Sequence, residues 1–202
     1  KRQGRTSLSA PNNLRLSRSV SDNDRPQYLV ISAVYQLPFG KGKRWTAGKW
    51  GSAILGGWQV SNITTFGKGQ PVYITAPSNT GLPGVTARAI RLRSGVLSSG
   101  EQTLDRWFDT SAFLTPPPYT LGNDSRTQPD LRTPGIKNFN VGCGRYIGIR
   151  ESLRLQVRGE FANAFNTPQF NDPVTGVNSR DFGRVLSARG ARTIQVGLRL
   201  TY

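Results

Sequence analysis

The sequence contains no histidine, no methionine and only one cysteine among its 202 residues. Without histidine there is no Ser-His-Asp or Cys-His arrangement, and the commonest transition-metal ligand is missing. Cys143 alone can form neither an intrachain disulfide nor a structural zinc site, so we expect a small apolar side chain on a sheet. We therefore predict a protein that is not an enzyme, with no catalytic residue, no metal and no cofactor.

Long hydrophobic runs are also missing. No stretch of about 18 apolar residues exists, which excludes a transmembrane helix but leaves a transmembrane strand open. The chain opens with K-R-Q-G-R and has no basic-then-apolar signal segment. From this opening and the lack of methionine, we expect an interior or carboxy-terminal piece of a longer protein.

Acidic residues are few, with 11 Asp and Glu against 27 Lys and Arg, which gives a formal charge of +16. Such an excess favours an anionic partner, although basic residues that only line solvated faces explain it equally well. The charge leaves nucleic acid open as a partner, but it is not the expected one, because the aromatic residues gather near predicted strand ends. That placement resembles an interfacial girdle, although ordinary strand and turn residues would also explain it. The aromatic residues near the predicted strand ends are Tyr28, Tyr35, Trp45, Trp50, Trp58 and Phe66.

Three candidate sites are weak. The segment Gly42–Lys49 resembles a phosphate loop, but it has five residues between its glycines, Trp50 in place of Ser or Thr, and no following helix pattern. Asp22-Asn23-Asp24 and Asn123-Asp124 could offer oxygen ligands to calcium, but such runs are more often turns. Glu160 is more simply explained by cross-strand charge pairing than by proton transfer.

The closing stretch, Arg192–Tyr202, provides the template for the fold. Apolar and polar residues alternate along it, so its side chains fall on two opposite faces of a strand. Its length of about ten residues is what a tilted strand needs to cross a bilayer. Four further stretches have extended character, namely Gln27–Leu37, Gly57–Thr75 with an interruption at Gly67–Gly69, Asn138–Ile147 and Ser152–Phe165.

The connections between these strands are unequal. We predict loops over Lys1–Arg25 (with a short strand at Leu14–Ser19), Ala76–Lys137 and Asn166–Gly190, and a connector over Trp45–Leu55. The four connections run about twenty, sixty, four and twenty-five residues, and the two longest fall on the same side of the sheet. Short turns on one side and long loops on the other are typical of outer-membrane barrels.

The alternation assigns a face to each strand residue. The lumen-facing candidates are Arg154, Gln156, Arg158, Glu160, Gln195 and Arg199. The lipid-facing candidates are Leu153, Leu155, Val157, Phe161, Ile194, Val196, Leu198 and Leu200. The fold class is therefore all-β, an antiparallel transmembrane β-barrel portion that taken alone forms an open, curved meander of about five strands with long loops.

Four strings occur together with a terminal aromatic strand: Tyr35–Arg44 (YQLPFGKGKR), Gly56–Ser61 (GGWQVS), Trp107–Phe113 (WFDTSAF) and Arg158–Asn166 (RGEFANAFN). In this order they resemble the carboxy-terminal barrel of the TonB-dependent, Oar-like outer-membrane receptors, which carry a carboxypeptidase-regulatory-like domain and are abundant in acidobacteria. The resemblance spans nearly the whole chain, so residues 1–202 would be barrel. Relatives often have an Arg-His pair where this chain has Pro26-Gln27, and a histidine where it has Thr167.

The resemblance implies a large barrel in the outer membrane of a Gram-negative cell, plugged by an amino-terminal domain and powered through TonB. The plug and the TonB-contacting segment are absent from these residues. The implied partners are the lipid bilayer and lipopolysaccharide, TonB, the barrel-insertion machinery and an unknown bulky solute. Tyr202 matches the terminal aromatic that is recognised during insertion. The alternative is a soluble, secreted β-sandwich that binds an anionic polymer such as nucleic acid or acidic polysaccharide.

Overall fold

The computed structural model describes residues 18–40, 42–45, 48–77, 81, 87–150 and 152–202. Within these ranges the strands are, in chain order, β1 (Tyr28–Gln36), β2 (Trp58–Gly67), β3 (Ile90–Arg91), β4 (Phe113–Leu114), β5 (Ile136–Gly148), β6 (Arg154–Ala162), β7 (Gln169–Phe170), β8 (Ala188–Arg189) and β9 (Thr193–Thr201). Five of them form one antiparallel sheet in the order β1-β2-β5-β6-β9, here called the main sheet. The predicted all-β fold is confirmed.

The described chain divides into two units. Unit 2 contains the main sheet and consists of Tyr28–Phe66, Ile136–Gln169 and Gly190–Tyr202. Unit 1 is built from Gly67–Gly135 and Phe170–Arg189 together with residues 18–27. The predicted strand at Leu14–Ser19 lies mostly outside the described residues, and Arg18 and Ser19 are not in a strand.

The strands of the main sheet agree with the alternating stretches of the sequence, except at their ends. β6 stops at Ala162, three residues before the predicted end at Phe165. The reason is local, since Asn163 has a φ of 49° and Asn166 a φ of 51°, both left-handed. The Asn163 side chain donates to the Thr167 carbonyl and accepts from the Thr167 amide, each at 2.9 Å, which fixes the turn.

The extended stretch predicted to reach Thr75 is wrong beyond Gly67, where β2 ends. Within the described residues 68–75 the chain makes only two isolated β-bridges, one at Pro71 and one at Thr75. Gly69 explains the break, because a Cβ there would lie 1.7 Å from the Thr133 carbonyl oxygen. At Gly69 the backbone makes a close approach that only glycine permits.

The predicted connector Trp45–Leu55 contains an α-helix, α1 (Gly48–Leu55), which the sequence reading missed. It ends just before Gly57, whose φ of 78° is the left-handed conformation that commonly terminates a helix. The helix begins at Gly48, within the phosphate-loop-like string, so a helix is present where none was expected, although residues 46 and 47 of that string lie outside the described part. In the described chain, no helix is both long enough and apolar enough to span a membrane.

The predicted long loops fold into unit 1, which has a hydrophobic core of its own. Phe108 is fully buried and its ring makes edge contacts with Phe113 and Phe182, at centroid distances of 5.9 and 5.3 Å. The buried core cluster consists of Val72, Ile74, Ala89, Phe108, Ala112, Phe113 and Leu131. The segments predicted as loops, Ala76–Lys137 and Asn166–Gly190, have mostly irregular backbone where the structure describes them, but they are not structureless, because their sparse apolar residues converge on one cluster.

Candidate functional site

The register of the main sheet separates its side chains into two faces. β6 and β9 pair Leu155 with Leu200, Val157 with Leu198, and Phe161 with Ile194. Directly opposed residues of antiparallel strands share a face, so these side chains form one apolar face. β5 continues it with Val141 opposite Phe161 and Cys143 opposite Gly159. Leu153, another lipid-facing candidate, lies in the turn just before β6.

This apolar face is not a protein core. Ile194, Val196, Leu198 and Leu200 are between 52% and 76% exposed, and Leu155, Val157 and Phe161 are half-buried. Among the described residues, every buried hydrophobic side chain belongs to unit 1 and none to the main sheet. A soluble β-sandwich would cover such a face with a second sheet. The exposed apolar stripe is instead what a barrel wall presents to lipid.

The opposite face is polar. Gln156 faces Arg199, and Glu160 faces Gln195, across the β6–β9 ladder. Glu160 pairs with Arg158, two residues away on its own strand, so the expected cross-strand charge pair is replaced by a same-strand one. Arg154 lies on this face opposite Thr201. All six lumen-facing candidates thus share one face, and its contact with a lumen stays a prediction.

A groove of about 430 Å³ runs over the polar face of unit 2. Gly142 and Gly144 of β5 provide its floor because they lack side chains on this face. Its polar lining residues are Gln36, Lys43, Gln59, Ser61, Tyr146, Gln156, Arg158 and Glu160. Three of these residues, Gln156, Arg158 and Glu160, are predicted lumen-facing candidates. The period-two alternation, continued into β2 and β5, also identifies Gln59, Ser61 and Tyr146.

Arg145 is an exception to the apolar face. It lies opposite Val157, near the end of β5, and its Nη1 donates to the Ile54 carbonyl at 2.9 Å. Trp58 Nε1 donates to the same oxygen at 2.9 Å. The last carbonyls of a helix have no partner within the helix, so two side chains from the main sheet satisfy the end of α1.

Aromatic side chains lie at both ends of the strands of the main sheet, here called its two rims. At the rim with the shorter connections, Tyr35, Trp45 and Trp50 are exposed, and Tyr202 follows the end of β9. At the opposite rim, Tyr28 is exposed. The ring of Phe139 there stacks edge-on against Phe66 and Phe165, with centroid distances of 5.5 and 5.1 Å. A strand of nine residues, tilted by about 40°, rises roughly 23 Å, close to the apolar band of about 25 Å in outer-membrane barrels.

The acidic runs considered for calcium have protein partners instead. Asp22 pairs with Arg126 at 3.0 Å, and Asp24 with Arg132 at 2.7 Å. Burial raises the pKa of Asp124, although Gln128 Nε2 donates to its carboxylate at 2.6 Å. Across the part of the chain that the structure describes, acidic and cysteine side chains form no group that could hold a metal ion.

The string Trp107–Phe113 has a structural function in unit 1. Asp109 caps a short 3-10 helix, Thr110–Ala112, by accepting from the Ser111 amide at 3.2 Å. Its carboxylate also accepts from the Ser111 hydroxyl at 2.8 Å and from Arg93 at 2.8 Å. These bonds, the Ser111 hydroxyl first, lower the pKa of Asp109 to about 2. The string therefore combines a cap with two buried phenylalanines, Phe108 and Phe113.

The exposed apolar face, the polar face behind it and the aromatic rims define a wall of a membrane-spanning β-barrel. Comparison with known families agrees, since the chain matches the outer membrane beta barrel domain family over residues 1–195. The chain belongs to this family and is located in the outer membrane. No curated protein and no solved structure matches it.

Proposed function

We propose that the chain forms barrel wall and outer loops of an outer-membrane, TonB-dependent receptor of the Oar-like kind, which takes up a bulky solute without covalent chemistry. The strings Tyr35–Arg44, Gly56–Ser61, Trp107–Phe113 and Arg158–Asn166 support the narrower family. Membership in the outer-membrane barrel family supports the broader class. The cell would be Gram-negative, as in the acidobacteria where such receptors abound.

One observation carries the proposal, namely that the long connections are folded. Two insertions leave the main sheet at the same rim, that is, at the same ends of its strands. One connects β2 to β5 and the other connects β6 to β9. Both contribute to unit 1 and to its phenylalanine core. A barrel that only anchors itself has no need of a packed module in its loops, whereas a receptor needs ordered loops to bind a large solute.

The strand count supports a larger barrel. Five strands cannot close on themselves, since small barrels need about eight and plugged transporters have about twenty-two. We propose that β1 and β9, at the two edges of the main sheet, pair with further strands of the same barrel. The polar face would then line a lumen filled by a plug, and TonB would act through that plug.

The decisive experiment compares uptake in three strains of the native host: wild type, a deletion of the full-length gene, and a deletion of tonB. Growth on a panel of carbon, iron and cofactor sources identifies the solute. We expect the two deletions to share one growth defect, and the full-length gene to restore only its own deletion. A defect of the gene deletion that is absent from the tonB deletion would refute energised transport.

A matched pair of variants tests the contribution of unit 1. Phe108→Ala removes the centre of the core, whereas Tyr119→Ala removes an exposed ring in the same insertion. If ordered loops bind the solute, Phe108→Ala lowers solute binding to whole cells by more than tenfold and Tyr119→Ala changes it little. Equal binding by both variants, at equal amounts in the outer membrane, would contradict this function of unit 1.

A further inference from the structure

The described residues 38–40, 42–45 and 48–57 of the connection between β1 and β2, here called the edge segment, are held together by contacts between the two ends of the segment. The Trp45 amide donates to the Pro38 carbonyl at 3.1 Å, and the Phe39 and Trp45 rings lie 5.3 Å apart. Gly40 is buried, and a Cβ there would lie 3.1 Å from the Cα of Gly56. The beginning and end of the segment therefore pack together, with α1 between them in sequence.

The end of α1 is fixed to the apolar face. Its Ile54 carbonyl accepts from Trp58 and from Arg145. Arg145 lies on the apolar face by its register with Val157. In β2, Ser61 shares the polar face with Gly142, so Trp58, at an odd number of positions from Ser61, lies on the apolar face. The helix consequently ends on the side of the sheet that meets lipid.

Three large apolar side chains of α1 are exposed, namely Trp50, Ile54 and Leu55. Trp50 is 83% exposed, and Ile54, one helical turn later, is 66% exposed. Trp45 and Leu55 are also exposed. Tryptophan and aliphatic side chains grouped in this way, beside a lipid-facing wall, are typical of helices that lie in a membrane interface.

The edge segment is also strongly basic. Its sequence includes Lys43, Arg44 and Lys49, and no acidic residue occurs between Asp24 and Glu101. The Arg44 guanidinium lies 6.0 Å from the centre of the exposed Trp45 ring. Lys43 donates to Gln36 at 3.4 Å, so it lies toward the polar face and does not contribute to the outer surface. A cation beside an interfacial tryptophan favours an anionic headgroup.

We propose that the edge segment is a membrane-interface anchor that binds the anionic phospholipid headgroups of the leaflet on the short-connection side of the barrel. Charge and continuity with the lipid-facing wall argue for this occupant. In outer-membrane barrels the short connections lie on the periplasmic side. The anchor depends on the outer-membrane location and not on TonB-dependent uptake, so the two proposals can fail separately.

Lipid contact at α1 can be measured directly. The full-length protein, with its native cysteines replaced, carries Trp50→Cys with an environment-sensitive fluorophore and is reconstituted into phosphatidylcholine vesicles, with or without a quarter of phosphatidylglycerol. We expect headgroup-level nitroxide lipids to quench the fluorophore more than nitroxides near the bilayer centre. Tyr119→Cys, in the loops, serves as the aqueous control and should not be quenched by either.

Two results would overturn the anchor. In the first, the fluorophore at position 50 is quenched by water-soluble iodide as strongly as the one at position 119. In the second, it is protected from both iodide and nitroxide lipids, which would show that protein covers α1. Hydrogen exchange provides a second measurement that needs no label. Exchange of the amides of residues 42–45 and of α1 should slow several-fold when phosphatidylglycerol is added. The Arg44→Gln variant should lose most of that slowing, and an unchanged slowing would contradict the anionic preference.

Discussion

Val196 provides the sharpest energetic test of the apolar face. It lies one residue from the middle of β9, is 76% exposed, and faces Gly159 across the β6–β9 ladder. Replacing it with arginine places a charge near the centre of the bilayer if this face meets lipid. Such a substitution costs about 2–4 kcal/mol near the midplane of an outer-membrane barrel, whereas a water-exposed position changes stability by about 0.5 kcal/mol or less.

Gln195→Arg is the matched control, because it introduces the same side chain one residue away on the polar face. It lies opposite Glu160, so the new charge gains an attractive neighbour. We expect this variant to unfold within about 0.5 kcal/mol of the wild type.

The assay is guanidinium unfolding of the full-length protein folded into phospholipid vesicles. Intrinsic fluorescence and gel mobility without heating serve as readouts. The expected result is a large loss of stability for Val196→Arg and almost none for Gln195→Arg. The reverse order would show that the faces are assigned the wrong way round, and two small effects would refute a lipid-facing wall.

Three further predictions concern unit 1 and α1. Phe108→Ala should destabilise unit 1 by about 3–5 kcal/mol, seen as protease cleavage within residues 87–135 while the barrel keeps its unheated gel mobility. Asp109→Asn should lower the stability of unit 1 by roughly 1–2 kcal/mol, because the bonds from Ser111 and Arg93 favour the charged carboxylate. Solvent screens these bonds little, since the Asp109 side chain is only 14% exposed. The wild-type Asp109 contribution is complete above its unfolded pKa of 3.8 and is lost as the pH falls through about 2, which hydrogen exchange of unit 1 against pH would measure. Arg145→Gln should cost about 1–2 kcal/mol and speed exchange of the α1 amides, because the Ile54 carbonyl loses a charged donor.

The main sheet could be predicted from the sequence because its information is local. Alternation of apolar and polar residues identifies β6 and β9 without any knowledge of their neighbours. The same pattern fixed the shared face of Leu155, Val157, Leu198 and Leu200, which the register reproduces. Strand ends were harder, since β6 stops where Asn163 adopts a left-handed backbone, and asparagine adopts that conformation in some contexts only.

Unit 1 could not be predicted in this way. Its core brings Val72 and Ile74, from a stretch predicted to continue β2, together with Phe108 and Phe182, which are far away in the chain and lie in segments without periodicity. Helix α1 was missed for a different reason. Its eight residues include two glycines, and its end is stabilised by Arg145 of a distant strand, so propensity alone gives no signal.

The central claim is that the apolar face of the main sheet contacts lipid. A cysteine scan along β9, from Thr193 to Thr201, would test it when the full-length protein is reconstituted in vesicles and each position is labelled with a fluorophore. Quenching by nitroxide lipids should alternate along the strand, strong at Ile194, Val196, Leu198 and Leu200 and weak at the residues between them. Uniformly weak quenching, or quenching that peaks at the polar positions, would contradict the account.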